Sequence, residues 1–244
     1  MNRQSQSAVL FLLGAALLHA GATDLYLRYV KAGLRPLLLA AGAVLIVTAL
    51  ATAWYERRRT KRHRQEAAPQ PHDHAHPESR VAWLLILPLL ALILVAPPAL
   101  GSYSATRTGT ALQEPLAYPS LPATSPLPLG VVDYAGRAFY DHGRTLAGRQ
   151  VRLTGFVALG HDGTPYLVRM ALNCCAADAQ PVKIGLTGRI PPVLQPDAWL
   201  TVTGEYTPRT ARDPVNDGPI PFLKVTEAKP APTPGDPYDE SWNN

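Results

Sequence analysis

The sequence predicts a membrane protein in which three transmembrane α-helices are followed by a small all-β, OB-like barrel domain. Three observations carry this expectation. Apolar residues concentrate in the first hundred of 244 positions, in stretches without Asp, Glu, Lys or Arg. Five short runs with an apolar period of two follow residue 148. Between the stretches and the runs lies a segment loaded with proline, serine and threonine, which suits a connection between two separately folded parts.

The uncharged stretches are residues 5–22, Pro36–Tyr55 ("PLLLAAGAVLIVTALATAWY") and Val81–Leu100 ("VAWLLILPLLALILVAPPAL"). A helix crossing the hydrocarbon needs about 20 such residues, and each must span as a helix because lipid offers its backbone no hydrogen-bond partner. The first stretch has a rival reading as a cleavable signal peptide, since Arg3, a short apolar run and Ala20-Gly21-Ala22 fit that pattern. "ERRRTKRHR", Glu56 to Arg64, places a basic block between the second and third stretches, and basic loops stay in the cytoplasm. The expected arrangement is a multi-pass cell-membrane protein with its N-terminus and second loop cytoplasmic and its C-terminal domain extracytoplasmic. Arg28, Lys31 and Arg35 in the first loop weaken that bias without reversing it. Membrane lipids are the natural partner of the polybasic run, and the chain's net charge of +5 requires no nucleic acid.

The expected division is a transmembrane region over 1–100 with a His-rich basic loop at 55–80, a Pro-rich linker over 101–130, the β domain over 131–230 and a Pro-rich tail over 231–244. The predicted strands are "RQVRLTGFVAL" (149–159), "TPYLVRMAL" (164–172), "PVKIGLTG" (181–188), "AWLTVTGEY" (198–206) and "PFLKVTEAK" (221–229). Gly155, Gly185, Gly188 and Gly204 sit where a tight barrel must bend or be approached closely. A small open sandwich is the rival fold. "AADAQ", between the second and third strands, suits one helical turn.

Both cysteines of the chain stand side by side in "RMALNCCAADAQPVKIG". A structural disulfide between them is disfavoured, because alpha carbons joined by one trans peptide are about 3.8 Å apart against roughly 4.4–6.8 Å in ordinary disulfides. A strained vicinal disulfide would be a reducible switch. Two thiolates also suit zinc or copper(I), with Asp178 one helical turn beyond Cys174 and Cys175 and with His142 and His161 as further candidates. The plain alternative is a pair of small, half-buried residues ending a strand. A second metal candidate is "PHDHAHPE", where His72, His74 and His76 alternate beside Asp73 and would make a loading or sensing tract. His19, near the end of the first stretch, is the one other ionisable group in an apolar run and is a candidate intramembrane polar site.

The segments "LLHAGATDLYLRYV", "HDHAH", "APPALGSYSATRTG" and above all "RMALNCCAADAQPVKIGL" are similar to those of the YcgQ-like family of bacterial membrane proteins, described as permease subunits. "GRQVRLTGFV", "DAWLTVTGEY" and the Pro-Tyr of "GDPYDE" resemble its β domain. The resemblance implies an accessory subunit accompanying a larger multi-span permease, with a connection to zinc or another metal. A membrane-tethered thiol redox protein and a non-catalytic extracytoplasmic interaction module are the alternatives. An enzyme is not expected: Gly-x-Ser-x-Gly, His-Glu-x-x-His and phosphate-cradling glycine loops are missing from the sequence.

Overall fold

The computed structural model describes residues 3–66, 84 and 86–239. They form two compact units, a helical one comprising the residues up to Tyr26 and Ala32–Pro98, and a second comprising Leu27–Lys31 and the residues from Ala99 onward.

In the helical unit, α1 (Arg3–Ala22) and α2 (Arg35–Glu66) are both long and apolar enough to cross a membrane. They pack through glycine: a Cβ placed on Gly14 would lie 2.8 Å from the carbonyl oxygen of Gly42, so only small residues let the backbones approach. Leu37, Val44, Val47 and Leu50 point outward, as lipid-facing residues do. Hydroxyls in this apolar run find partners within the helix, Thr48 Oγ1 donating to Val44 O (2.8 Å) and Thr52 Oγ1 to Thr48 O (2.8 Å). Where the apolar run meets the basic one, the Arg58 guanidinium stacks 3.6 Å from the Trp54 ring centroid, an aromatic and cationic pairing suited to headgroup depth.

The third expected span differs in extent. Its described helix, α3 (Ile86–Leu94), has nine residues, about 13.5 Å at 1.5 Å per residue, against a hydrocarbon core of roughly 30 Å. Residues 81–83 and 85 lie outside the described residues, as do His72, His74 and His76.

The second unit is a closed five-stranded barrel. Its strands are β2 (Gln150–Leu159), β3 (Pro165–Ala171), β4 (Gln180–Gly188), β5 (Trp199–Arg212) and β6 (Pro219–Pro230), flanked by the two-residue strands β1 (Leu127–Pro128) and β7 (Tyr238–Asp239). The antiparallel pairings are β2 with β3 and β5, β3 with β4, and β5 with β6, and β4 runs parallel to β6 to close the cylinder. Five strands with one parallel closure form the OB-like topology expected from the sequence. At Gly155 a Cβ would fall 2.7 Å from Val168 O, and Gly204, paired with Val225 at a register shift, leaves room for Lys224 O, so both glycines serve the curvature.

The interior is filled by Val151, Leu153, Leu167, Ile184, Val202 and Leu223. A helix that the strand pattern did not signal, α5 (Val131–Phe139), packs Val131, Tyr134, Ala135 and Ala138 into this same core. Its Tyr134 hydroxyl donates to Phe222 O (2.7 Å), satisfying a polar group that would otherwise be costly inside.

The Pro-rich stretch expected to be an extended linker is partly built into the domain. In α4 (Ser102–Arg107), Ala105 is wholly buried in a second apolar cluster with Phe156, Val168, Met170 and Tyr238 on the outside of the barrel. Ser102 donates to Asp197 from its backbone nitrogen (2.5 Å) and its hydroxyl (2.9 Å). Thr110 N donates to Asp213 Oδ2 (2.9 Å), which also takes a 2.6 Å bond from Lys183 Nζ in an ion pair shut away from solvent. The tail, expected to be frayed from residue 231, returns at β7 to pair with β3, leaving Tyr238 buried. Proline content favours extension; it does not stop an extended segment from burying the apolar residues it carries.

Candidate metal centre

The hairpin from β3 to β4 carries the cysteines in its connecting loop. Ala171 and Gln180 are paired across the hairpin's last rung, so residues 172–179 must turn the chain between them. Leu172 is anchored in the outer cluster. Cys175 is extended (φ −154°, ψ 167°) and starts a single 3₁₀ turn, Ala176–Asp178, which is the helical turn expected of "AADAQ". The turn is closed by Asp178 N donating to Cys175 O (3.0 Å).

That geometry sends the Asp178 carboxylate back over the loop. Oδ1 accepts from Asn173 N (3.0 Å) and Oδ2 from Cys174 N (2.9 Å), so two backbone donors fix its position. Both thiol sulfurs and a carboxylate oxygen lie within 4.8 Å of one another, which one ion can bridge at zinc distances of about 2.3 Å to sulfur and 2.0–2.2 Å to oxygen. Cys174 is exposed and Cys175 half-buried, so the sulfurs are open to an incoming ligand.

The thiol and carboxylate are electrostatically linked. Hydrogen bonding to Asp178, seconded by Cys175, pushes the Cys174 thiol up to about 11. Burial alone would raise Asp178, but the bond from the Cys174 thiol and the amides of Asn173 and Cys174 outweigh it and hold the carboxyl below its ordinary range. Without an ion, the proton therefore rests on sulfur and the charge on oxygen. A cation held there would take the place of that proton, the usual exchange at thiolate sites. The donor set of two soft sulfurs and one hard oxygen fits zinc well, and the sulfurs alone suit copper(I).

The other histidine candidates do not join this group. His142, at φ 52°, and His161 are both exposed, and among the described residues the three-donor cluster contains only Cys174, Cys175 and Asp178. His19 is exposed on α1, where its carbonyl oxygen accepts from Thr23 N (3.2 Å) and Thr23 Oγ1 (3.0 Å).

Sequence reasoning missed the segment on the loop's other flank. Leu27–Lys31, from the connection between α1 and α2, belongs to the barrel unit. Val30 forms an antiparallel bridge with Cys175, Lys31 N donating to Cys174 O (3.0 Å) and Ala176 N to Tyr29 O (2.7 Å). The Tyr238 hydroxyl adds a third tie, to Arg28 O (3.0 Å). No local pattern signals a pairing between residues so distant in the chain.

Residues 135–239 match the DUF1980 C-terminal domain. The match begins inside α5, at Ala135, and covers the rest of that helix, the whole barrel and β7, including the cysteine loop. DUF1980 is the YcgQ-like family, so the resemblance read from the sequence falls on the same region of the chain. The matched region contains Cys174, Cys175 and Asp178, whereas the strap Leu27–Lys31 lies outside it. No curated protein and no solved structure matches the chain.

Proposed function

We propose that this chain is an accessory, non-enzymatic subunit of a multi-span membrane permease, and that its barrel handles a thiophilic metal ion, zinc or copper(I), at Cys174, Cys175 and Asp178. The observation that carries the reading is the convergence of two sulfurs and an oriented carboxylate within 4.8 Å. The vicinal redox reading is less well supported, because redox-active cysteines generally have depressed thiol values and Cys174 is pushed the other way.

In this reading Val81–Leu100 is a third membrane span. Support comes from the strap: residues hydrogen-bonded to the barrel lie on the barrel's side of a membrane, so an even number of crossings separates Lys31 from Ala99. Helix α2 supplies one crossing and the third apolar stretch the other. With the basic run after Trp54 on the cytoplasmic side, the barrel is extracytoplasmic and His72, His74 and His76 lie on the opposite side as a loading tract. Three helices give one chain little room for a pore, hence the larger permease partner.

The test is competition between the full-length reduced protein and a chromophoric chelator for zinc and for copper(I). Tight binding of one equivalent that is lost in Cys174→Ser supports the reading. Equal binding by wild type and Cys174→Ser removes the cysteine loop from it. Co-purification with a multi-span protein tests the permease partnership, and recovery of the chain without one from native membranes counts against it.

A further inference from the structure

The strap Leu27–Lys31 follows α1 after residues 23–26 and leads, through the short turn Ala32–Leu34, into α2. Its backbone is tied to the barrel close around the cysteine loop. Cys174 O accepts from Lys31 N, Ala176 N donates to Tyr29 O, and the hydroxyl of Tyr238, on the strand β7 that pairs with β3, donates to Arg28 O. Cys174 and Ala176 bracket Cys175, so the backbone that aims both sulfurs is held on one flank by Asp178 and on the other by the strap.

We propose that the strap is the regulatory element of the thiol site: an ion held by Cys174, Cys175 and Asp178 favours the strap docked against residues 174–176, and release of the strap weakens the hold on the ion. This rests on the reading of Cys174, Cys175 and Asp178 as a metal site. A bridge of two backbone bonds, even with the Tyr238 tie beside it, is weak, because each exchanged hydrogen bond contributes little net stability. It is stable only while residues 174–176 keep one backbone shape. Asp178 already restrains that shape through Asn173 N and Cys174 N, and pinning both sulfurs and Asp178 to one ion would restrain it further. The coupling is reciprocal by linkage: whatever factor ion binding adds to strap docking, docking adds to ion affinity. Because the strap continues into α1 and α2, ion occupancy of the extracytoplasmic loop is thereby relayed to the connection between the two apolar helices, where a permease partner would sense whether cargo is present.

The experiment uses the full chain in lipid nanodiscs with zinc alone as the probe. Hydrogen exchange at the amides of Lys31 and Ala176 is measured with and without zinc, and zinc affinity is compared between wild type and two variants. Ala176→Pro removes the donor to Tyr29 O at the first position of a helical turn, preceded by an extended residue, where proline is tolerated. Tyr238→Phe removes the tie to Arg28 O without touching the cysteine loop. Slower exchange at both amides on adding zinc, with affinity about two- to tenfold weaker in each variant, is the expected result. Unchanged exchange together with unchanged affinity in both variants, while wild type still binds zinc through its thiols, overturns the strap's role and leaves the metal site standing. Wild type that binds no zinc overturns both. A loss confined to Ala176→Pro, with Tyr238→Phe and exchange unaffected, shows a local defect of the cysteine loop and likewise overturns the coupling.

Discussion

Asp178→Asn removes the charge that keeps the proton on Cys174 while leaving one side-chain oxygen to accept from the loop amides. The expected consequence is a faster thiol. At pH 8 a thiol at its ordinary 9.0 is about one-eleventh thiolate, whereas one at about 11 is ionised about once in a thousand molecules. The difference is about 90-fold in thiolate. A more basic thiolate is a better nucleophile, however, and a Brønsted slope of about 0.45 returns roughly eightfold over that interval. About elevenfold is therefore the ceiling for the gain in rate. Cys175 supplies part of the upward shift, so a gain of about fivefold is expected from Asp178 alone. The assay is reaction of the metal-free protein with an aromatic disulfide reagent at pH 8, in a Cys175→Ser background so that one thiol reports. Far-UV circular dichroism checks that the barrel is intact. A rate within twofold of the Asp178 parent would refute the placement of the thiol proton under Asp178's control.

Three further outcomes follow from the same structure. Asp213→Ala leaves Lys183 charged and buried, which costs about 3–5 kcal/mol, and at about 2–4 °C per kcal/mol thermal unfolding of the barrel should fall by roughly 6–20 °C; replacing both residues by apolar ones should cost less. Gly14→Leu puts a side chain where Gly42 O already stands, and it should destabilise the α1–α2 pair by about 1–3 kcal/mol in detergent unfolding followed by circular dichroism, whereas Ala at exposed Leu37 should be nearly silent. In intact cells a membrane-impermeant maleimide should label Cys174, and in a Cys174→Ser, Cys175→Ser background His74→Cys should be labelled only after permeabilisation; labelling of His74→Cys in intact cells would reverse the proposed topology.

What was legible in the sequence was whatever depends on neighbours. Val151, Leu153 and the other alternating residues announced the five strands because period two reports which face is buried. Asp178 was within reach of the cysteines by spacing, and the short turn of "AAD" delivered it. What was missed depends on distant partners. Proline content concealed that Leu127 pairs beside Val151 and that Ala105 seals the outer face of the barrel. Helix α5 is short, and its buried face is recognisable only once a barrel end exists for it to fill. The strap is the extreme case, since Val30 meets Cys175 across most of the chain's folded length and through two backbone bonds that no side-chain pattern encodes.

The central claim is that both sulfurs and Asp178 hold one ion, and zinc-edge X-ray absorption on the full-length protein loaded with one equivalent tests it most directly. Two sulfur scatterers at about 2.3 Å with the remaining ligands oxygen or nitrogen at about 2.0–2.2 Å is the predicted shell, falling to one sulfur in Cys174→Ser. A first shell without sulfur, built from imidazole nitrogens alone, would contradict the account and move the ion away from the cysteine loop.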